Sequence, residues 1–337
     1  MEIIGNMDER EAREAAERAL GASLAKAHDK AILLLLSGGS AFDILSGIAS
    51  AQLGPRVTIG MLDERFDPSP AVNNFLQFQK TDFYRKAREK DVRFIESVPR
   101  DGESLADFAG RMEMAWREWR EKNTDGRVII TQGIGPDGHT AGVMPFPEDA
   151  GLFAELFRDE ERWVRGDDAG AKNQYPQRAT ATLSFLKTHV YTAIVYMVGE
   201  AKQSALERVL SDKGALAETP ARIAREMRNA LICTDLNDQD KTSRKKALIP
   251  TTIVIFGITG DLAKRKLIPA LWHLFVKGYL PDTFSIIGFS RREWSDDALR
   301  AYVEDILKEN MIGSSPEARA DFLTALPGFR FHRITPQ

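Results

Sequence analysis

The amino-acid sequence predicts an α/β protein with two domains, each built on an open parallel sheet. Its 337 residues exceed what one ordinary α/β domain requires and suffice for two hydrophobic cores. Short aliphatic or β-branched runs alternate with helical patterns over the first two thirds of the chain, which is typical of parallel α/β sheets. A polar, charge-dense stretch then precedes a fresh strand–turn–helix pattern. We therefore predict a first domain at 1–235, a linker at 236–249 and a second domain at 250–337.

The individual elements follow from hydrophobic periodicity. In the first domain, strands are predicted at 31–36, 57–62, 92–96, 127–132, 189–198 and 230–234. Amphipathic helices are predicted between them, at about 7–28, 41–51, 103–122 and 201–212. In the second domain, the stretch TTIVIFGITGDLAKRKLIPALWHLF (251–275) predicts a strand, a turn and a helix, and a further strand is predicted at 283–292.

The composition is that of a soluble globular enzyme. Hydrophobic residues make up 43% and charged residues 28%, with a net charge of −3, which indicates no general affinity for nucleic acid or a membrane. Because Cys233 is the single cysteine, an intramolecular disulfide is excluded and a cysteine-based metal site is not expected. The charged N-terminus lacks a signal-peptide core, and no apolar run is as long as a membrane span. We expect a cytoplasmic protein, and the sequence does not specify an oligomeric state.

Open parallel sheets bind ligands outside the carboxyl ends of their strands, so the residues after each predicted strand are candidates for a site. The first strand is followed by SGGS (37–40), where Gly38 and Gly39 free backbone N–H groups to point at an anion near a helix N-terminus. The other interpretation is a tight turn with Ser40 as the helix N-cap. The second strand is followed by LDERFDPSPAVNNF (62–75), either a charged binding loop or an ordinary solvated one.

The fourth strand is followed by TQGIGPDGHTAGVMP (131–145), in which four glycines and two prolines surround His139. Glycines at 133, 135 and 138 allow the backbone to bend sharply and to expose the imidazole in a cleft. A histidine in this setting can accept a proton from water near neutral pH, as a general base does. The other interpretation is a structural loop histidine that caps backbone carbonyls.

Together these motifs resemble the 6-phosphogluconolactonase family. The resemblance rests on the SGGS turn, the L-D-E-R loop followed by Asn73 and Asn74, the element G-x-G-x-D-G-H-T-A that ends in Pro145, and the R-x-T-x-T strand over 178–182. It covers about residues 7–235 and implies a Rossmann-like domain with an open parallel sheet.

This resemblance implies hydrolysis of 6-phospho-D-glucono-1,5-lactone to 6-phosphogluconate in the oxidative pentose phosphate pathway. A sugar lactone is an activated ester, so a positioned base, donors for the developing oxyanion and a phosphate anchor suffice, without a metal or another cofactor. His139 is expected to be the general base on water, with Asp63 orienting or hydrogen-bonding nearby. The residues expected to bind the substrate and its phosphate are Gly38, Gly39, Ser40, Arg65, Arg178 and Lys202.

Two other functions remain open on the sequence. Glucosamine-6-phosphate deaminases have a similar fold, a similar L-D-E loop and the motif D-G-H-I-A-F-N-E-P. Here His139 is followed by TAGVMPFPED, which lacks the Phe-Asn-Glu-Pro portion and therefore favours the lactonase. A non-catalytic sugar-phosphate sensor would keep the anion-binding turn but would not need a histidine that activates water. A hydrolysis assay distinguishes the two classes.

The second predicted domain carries a candidate dinucleotide site. Gly257, Gly260 and Ala263 lie at a strand–turn–helix suited to a pyrophosphate, within a stretch that resembles the N-terminus of glucose-6-phosphate dehydrogenase over about residues 250–337. This resemblance implies a partial Rossmann domain. Arg291 stands where an NAD-preferring site would place an acidic residue, so NADP is the expected cofactor.

The resemblance to the dehydrogenase also implies a lysine close to the substrate, for which Lys264 and Lys266 are both candidates. The sequence ends at FRFHRITPQ, before the substrate-binding motif and the large sheet domain of that family. We therefore expect NADP binding to be weak or vestigial, and we expect no dehydrogenase activity from these residues.

Overall fold

A computed structural model of the chain describes residues 1–5, 7–236, 251–276, 284–290, 294–310 and 330–333. Tertiary contacts divide the chain into two units, Met1–Asp238 and Gln239–Gln337. The linker predicted at 236–249 lies outside the described residues except for Leu236. No helix within the described ranges is long and apolar enough to cross a lipid bilayer.

The described part of the first unit has a large parallel sheet and a small antiparallel one. Its strands are β1 (Glu2–Ile4), β2 (Ile32–Leu36), β3 (Val57–Met61), β4 (Asp63–Arg65), β5 (Arg93–Phe94), β6 (Arg127–Gln132), β7 (Val164–Asp168), β8 (Gln177–Ala181), β9 (Val190–Tyr196) and β10 (Ala230–Cys233). Its α-helices are α1 (Glu9–Lys26), α2 (Asn74–Phe78), α3 (Asp82–Arg88), α4 (Leu105–Lys122), α5 (Ala150–Phe157), α6 (Leu183–Thr188) and α7 (Gln203–Leu210). The parallel sheet has the strand order β1-β10-β9-β6-β2-β3-β5, and the antiparallel sheet the order β4-β8-β7.

The predicted α/β fold with a parallel sheet is confirmed, since every strand predicted for the first domain is present as β2, β3, β5, β6, β9 or β10. β1 was not predicted because it is only three residues long. β7 (VRGDD) was not predicted because it lacks the alternation of apolar and polar residues that marks a half-buried strand.

One predicted helix is wrong in type. The segment 41–51 does not form an α-helix but two 3₁₀ helices, Gly39–Gly47 and Ser50–Gln52. Serine and glycine are poor α-helix formers, and Gly47 lies so close to α1 that a Cβ there would be 2.6 Å from Cβ of Glu17. The predicted helices at 7–28, 103–122 and 201–212 are present as α1, α4 and α7, with ends shifted by a few residues.

Both faces of the parallel sheet are covered. α1 begins with a capping box, in which Asp8 Oδ1 accepts a hydrogen bond of 2.7 Å from the Glu11 N–H. Leu20 of α1 packs in one core cluster with Leu34 of β2, whereas the neighbouring Leu35 packs in another with Trp116 of α4. Because successive β2 residues face opposite sides and both sides are buried, the strand is a continuous apolar run.

The second unit contains a smaller parallel sheet. Its described elements are β11 (Thr251–Phe256), a π-helical turn (Ala263–Leu267) that continues into α8 (Ile268–Val276), β12 (Phe284–Ser290), α9 (Asp296–Asn310) and β13 (Arg330–Arg333). The strand order is β11-β12-β13, and the core includes Ile255, Ile286, Trp272 and Val303. The strand predicted at 283–292 is present as β12, while residues 283, 291 and 292 lie outside the described residues.

Candidate active site

The predicted site residues follow four strands that are neighbours in the sheet. β9, β6, β2 and β3 are adjacent in that order, and all run parallel. The chain passes from β2 outward through β3 on one side, and later from β6 outward through β9 on the other. The loops after β2 and β6 therefore diverge at the point where the strand order reverses, which is where open α/β sheets form their ligand crevice. The SGGS turn and the His139 loop are these two loops.

The antiparallel sheet places three charged residues on one face. Asp63 and Arg65 are the first and last residues of β4, and the register pairs Asp63 with Thr180 and Arg65 with Arg178 of β8. Residues directly opposite each other, and residues two apart on a strand, share a face of the sheet. Asp63, Arg65 and Arg178 therefore lie on one face, and Glu64 lies on the other.

Asp63 is at the electrostatic centre of this group. Burial raises the pKa of the Asp63 carboxyl, and the positive charges of Arg178 and Arg65, followed by that of His139, oppose this rise. The Ser37 hydroxyl, at the end of β2, lies 3.5 Å from Asp63 Oδ1. Asp63 therefore interacts with residues that follow two strands of the parallel sheet, Ser37 after β2 and His139 after β6, and with Arg178 of β8.

Glu64 fixes the loop that carries Asp63. Its carboxylate accepts hydrogen bonds from the backbone N–H groups of Arg65 (2.8 Å), Asn74 (2.6 Å) and Phe75 (2.9 Å) and from the Ser97 hydroxyl (2.9 Å). Burial raises the pKa of Glu64 to about 8, although these four donors favour its charged form. The buried carboxylate holds β4 against the first turn of α2.

His139 pairs with an acid that the sequence analysis missed. His139 Nδ1 lies 2.6 Å from Asp137 Oδ1, and the same oxygen accepts a hydrogen bond of 3.0 Å from the His139 backbone N–H. Burial alone would raise the pKa of Asp137, but the hydrogen bonds from His139 outweigh it and place that pKa below the ordinary value. The contact selects the imidazole tautomer with the proton on Nδ1, which leaves Nε2 as an acceptor. The signal in the sequence was the D-x-H spacing within GPDGHT.

The loop after β6 needs glycine where it approaches the imidazole. A Cβ at Gly135 would lie 2.1 Å from Cε1 of His139, so that position admits no side chain. Gly138 has a φ of +90°, in the left-handed region that favours glycine. At Gly133 the position of a Cβ is open and the φ is not positive, so glycine is not required there. This corrects the prediction that all three glycines shape the turn. The Thr180 hydroxyl donates to the Ala141 carbonyl and joins this loop to β8.

The SGGS turn faces open space on one side and Asn74 on the other. Gly38, and not Ser40, is the N-cap of the 3₁₀ helix Gly39–Gly47, so the interpretation of Ser40 as a helix N-cap is wrong. Gly39 has a φ of +68° and no atom within 4 Å of the position of a Cβ. Asn74 Nδ2 donates to the Asp63 carbonyl (3.0 Å), while a Cβ at Gly38 would lie 2.2 Å from Asn74 Oδ1. Asn74 thus connects the turn to the Asp63 strand.

The candidate phosphate-binding cations differ in their surroundings. Arg65 Nη1 donates to the Val72 carbonyl (2.9 Å), and its guanidinium lies 4.4 Å from the ring centroid of Tyr175. Arg178 is 5% exposed, and its Nε has no hydrogen-bond partner among the described residues. Lys202 ends the 3₁₀ helix Glu200–Lys202 after β9; burial lowers its pKa and Asp235 opposes this.

The structure therefore brings Asp63, Arg65, Arg178 and His139 into one interacting group. It places the SGGS turn after β2 and Lys202 after β9, on either side of the His139 loop that follows β6 at the same sheet edge. No three His, Cys, Asp or Glu side chains lie together as a metal site would require within the described residues.

In the second unit, the turn after β11 is shaped for close approach of a ligand. Gly257 has a φ of +75° with open space around the position of a Cβ, and the Gly260 N–H donates to its carbonyl (2.8 Å). A helix begins directly after Gly260, and Ala263 is a buried residue in its first turn. An open glycine turn at a helix N-terminus fits a dinucleotide pyrophosphate. Arg291 lies outside the described residues.

Known protein families match two separate parts of the chain. Residues 254–332 match the family described as glucose-6-phosphate dehydrogenase, NAD binding domain. Glucose-6-phosphate 1-dehydrogenase 2 of Mycobacterium tuberculosis is 37% identical over 114 residues, which are 33% of this chain and 20% of that protein. The chain thus spans about a fifth of the length of this relative.

The first unit resembles solved structures along most of their length. 6-Phosphogluconolactonase from Trypanosoma brucei has a TM-score of 0.56 at 18% identity, over 69% of this chain and 95% of that one. A monomeric glucosamine-6-phosphate deaminase has a TM-score of 0.52 at 15% identity, over 70% of this chain and 97% of that one. At these identities the likeness establishes the fold. Residues 7–233, about two thirds of the chain, match one family, and the chain therefore belongs to the family of glucosamine-6-phosphate isomerases and 6-phosphogluconolactonase.

Proposed function

We propose that the first unit hydrolyses 6-phospho-D-glucono-1,5-lactone to 6-phosphogluconate, as a hydrolase of the oxidative pentose phosphate pathway. The observation that carries this proposal is the pairing of His139 with Asp137 at 2.6 Å, in a group that also contains Asp63 and two arginines. Membership of the family and the likeness to the Trypanosoma brucei lactonase support the choice of substrate.

His139 would act as the general base through Nε2, since Nδ1 is engaged by Asp137. As the oxygen of water bonds to C1 of the lactone, a proton of that water passes to Nε2 and the carbonyl electron pair moves onto its oxygen. When the bond between C1 and the ring oxygen breaks, the imidazolium returns its proton to the ring oxygen. The new carboxylic acid ionises and releases one proton to solvent, so each turnover is visible as acid.

Asp63 would orient the reacting groups rather than take the proton. Its carboxylate interacts with Arg178, Arg65 and His139 at once. A negative charge there stabilises an imidazolium that forms during the reaction and keeps the two guanidinium groups on the same side of the crevice. The sugar phosphate would bind to Arg65, Arg178 and Lys202 together with the backbone N–H groups of the SGGS turn.

Activity assays separate this proposal from its two alternatives. Fresh 6-phosphogluconolactone and glucosamine 6-phosphate are supplied separately, with acid release measured from the first and ammonia from the second. We expect acid release above spontaneous hydrolysis and no ammonia, because the residues after His139 lack Phe-Asn-Glu-Pro. Ammonia release would favour the deaminase, and binding of 6-phosphogluconate without turnover of either substrate would favour the sensor.

We propose further that the second unit binds NADP through the Gly257 turn, with Gly260, Ala263 and Arg291 contributing. The open space at Gly257 and the helix that follows support this proposal. NADP, when bound, supplies an acceptor for hydride. These 337 residues are proposed to bind it without acting as a dehydrogenase, since the match covers 20% of the mycobacterial relative. Calorimetric titration with NADP and NAD tests this, and Arg291→Ala should remove the preference for NADP.

A further inference from the structure

Tyr175 contacts both arginines of the candidate phosphate site. It precedes β8 by two positions, on the segment between the 3₁₀ helix Gly170–Lys172 and that strand. Its ring lies beneath the Arg65 guanidinium, 4.4 Å from Cζ to the ring centroid. Its carbonyl oxygen accepts a hydrogen bond of 2.6 Å from Arg178 Nη2. One residue therefore touches the two side chains that the register of β4 and β8 places opposite each other.

These contacts restrict how the two guanidinium groups can move. Arg65 is held on one edge by the Val72 carbonyl (2.9 Å) and on one face by the Tyr175 ring. The backbone of Tyr175 is itself fixed, because its N–H donates to Asn173 Oδ1 at 2.9 Å. A free arginine side chain loses much conformational freedom when it binds an anion, so a guanidinium that is already held binds with a smaller entropic penalty.

The position of Tyr175 is not explained by a role in the hydrophobic core. The side chain is only partly buried and belongs to none of the core clusters formed by the described residues. Aromatic faces attract a guanidinium through their quadrupole, and arginine on a ring keeps its in-plane N–H groups available for an anion. The stack therefore leaves donors of Arg65 free for a phosphate while it fixes the plane of the group.

We propose that Tyr175 is a positioning residue that holds Arg65, beside Arg178, in the orientation that receives the phosphate of the substrate. This inference rests on the proposed lactonase function. It assigns to Tyr175 an effect on phosphate recognition, and none on the proton transfer at His139.

The chain offers a matched control for the stack. Tyr191, the second residue of β9, lies 4.3 Å from the Arg127 guanidinium and 5.1 Å from that of Arg228. Arg127 is the first residue of β6, so this stack lies at the amino ends of the strands, opposite the candidate site. Replacing Tyr191 removes the same type of interaction from the same unit without touching the residues of the candidate phosphate site.

The test compares Tyr175→Leu, Tyr175→Phe and Tyr191→Leu with the wild-type chain. Steady-state hydrolysis is measured with the phosphorylated and the unphosphorylated lactone, and binding of 6-phosphogluconate and gluconate by calorimetry. Tyr175→Leu should raise KM for the phosphorylated lactone and Kd for 6-phosphogluconate by about 3- to 30-fold, the effect expected for loss of a cation–π contact. Its preference for phosphorylated over unphosphorylated lactone should fall by a similar factor. Tyr175→Phe and Tyr191→Leu should keep the wild-type KM and Kd and the wild-type preference for the phosphorylated lactone.

Different results would overturn different claims. If the wild type binds 6-phosphogluconate and Tyr175→Leu binds it equally well, the inference about Tyr175 is wrong and the proposed function stands. If Tyr175→Phe loses as much affinity as Tyr175→Leu, the hydroxyl acts and the stack does not. If the wild type neither binds 6-phosphogluconate nor hydrolyses the lactone, the proposed function is wrong. Thermal melting of each variant checks folding, and Tyr175→Met, which also removes the ring, replaces Tyr175→Leu should the leucine variant not fold.

Discussion

His139 Nδ1 lies 2.6 Å from Asp137 Oδ1, within a loop that begins where β6 ends. The two residues are two positions apart, so a single turn of backbone supplies both the proposed base and the acid that contacts it. The pair lies beside the SGGS turn because β2 and β6 are neighbours at the reversal of strand order. Asp63 is the first residue of β4, which follows β3, and β3 lies on the side of β2 that faces away from β6. Asp63 interacts with His139 from that side.

Replacing Asp137 tests whether it orients the imidazole. Asp137→Asn keeps the size of the side chain but removes the charge that favours a proton on Nδ1, so we expect kcat to fall by about 10- to 10³-fold. KM should change little, because Asp137 is not among the phosphate-binding residues. The control is Asp168→Asn, since Asp168 Oδ1 accepts from the backbone N–H two residues ahead (2.9 Å) without a histidine partner. Equal turnover in the two variants would contradict the role of Asp137.

The phosphate anchor predicts a different kinetic signature. Arg65→Ala and Lys202→Ala should each raise KM for the phosphorylated lactone by about 10- to 100-fold, the effect of losing a hydrogen bond between charged groups. The fall in kcat should be smaller, since the phosphate is remote from the lactone carbonyl. Lys122→Ala is the control, because that lysine lies on α4 with a side chain that is 74% exposed. A variant that keeps its preference for phosphorylated over unphosphorylated lactone would show that the replaced cation is not an anchor.

Glu64 predicts how stability depends on pH. Burial raises its pKa from 4.5 to about 8, so the folded chain holds a proton there that the unfolded chain has already lost. Its contribution to the free energy of unfolding is therefore fully present below about pH 4.5 and is lost as pH rises through about 8. Glu64→Gln should flatten this decline between pH 5 and pH 8.

At pH 5, where the folded wild type holds the proton on Glu64, the same variant should be less stable than the wild type. An amide NH₂ in place of one carboxylate oxygen leaves the buried Phe75 N–H without its acceptor, which costs about 1–3 kcal/mol. Urea unfolding at pH 5 and pH 8 measures both effects. An identical decline in the wild type and in Glu64→Gln would show that Glu64 does not titrate in this range.

The convergence of the site could be predicted because it depends on the sheet. The apolar runs at 31–36, 57–62 and 127–132 identify parallel strands, and the residues after them must then share one edge. Asp63 follows β3 and His139 follows β6, so the strand pattern alone predicts that the two residues lie at the same edge. Which residues lie at the carboxyl ends of the strands depends only on the sheet topology, and hydrophobic periodicity is enough to predict that topology.

The details that were missed depend on side-chain contacts. The strand β4 has the sequence DER, which is too short and too polar to show a hydrophobic period. Its pairing with β8, which places Arg65 and Arg178 on one face, therefore could not be predicted from the sequence pattern. In the sequence, Asp137 is one of several polar residues in a turn, and only its distance of 2.6 Å to the imidazole distinguishes it. Tyr175 gave no signal either, since a stack on Arg65 joins residues that are far apart in the chain.

The general-base role of His139 is tested most directly by the turnover of His139→Ala on freshly generated 6-phosphogluconolactone, corrected for spontaneous hydrolysis. The control is His28→Ala, because His28 is an exposed histidine just beyond α1. We predict that His139→Ala lowers kcat by about 10²- to 10⁴-fold, the usual contribution of a positioned general base, while 6-phosphogluconate still binds and His28→Ala retains full turnover. Wild-type turnover in a folded His139→Ala variant would contradict the proposed mechanism.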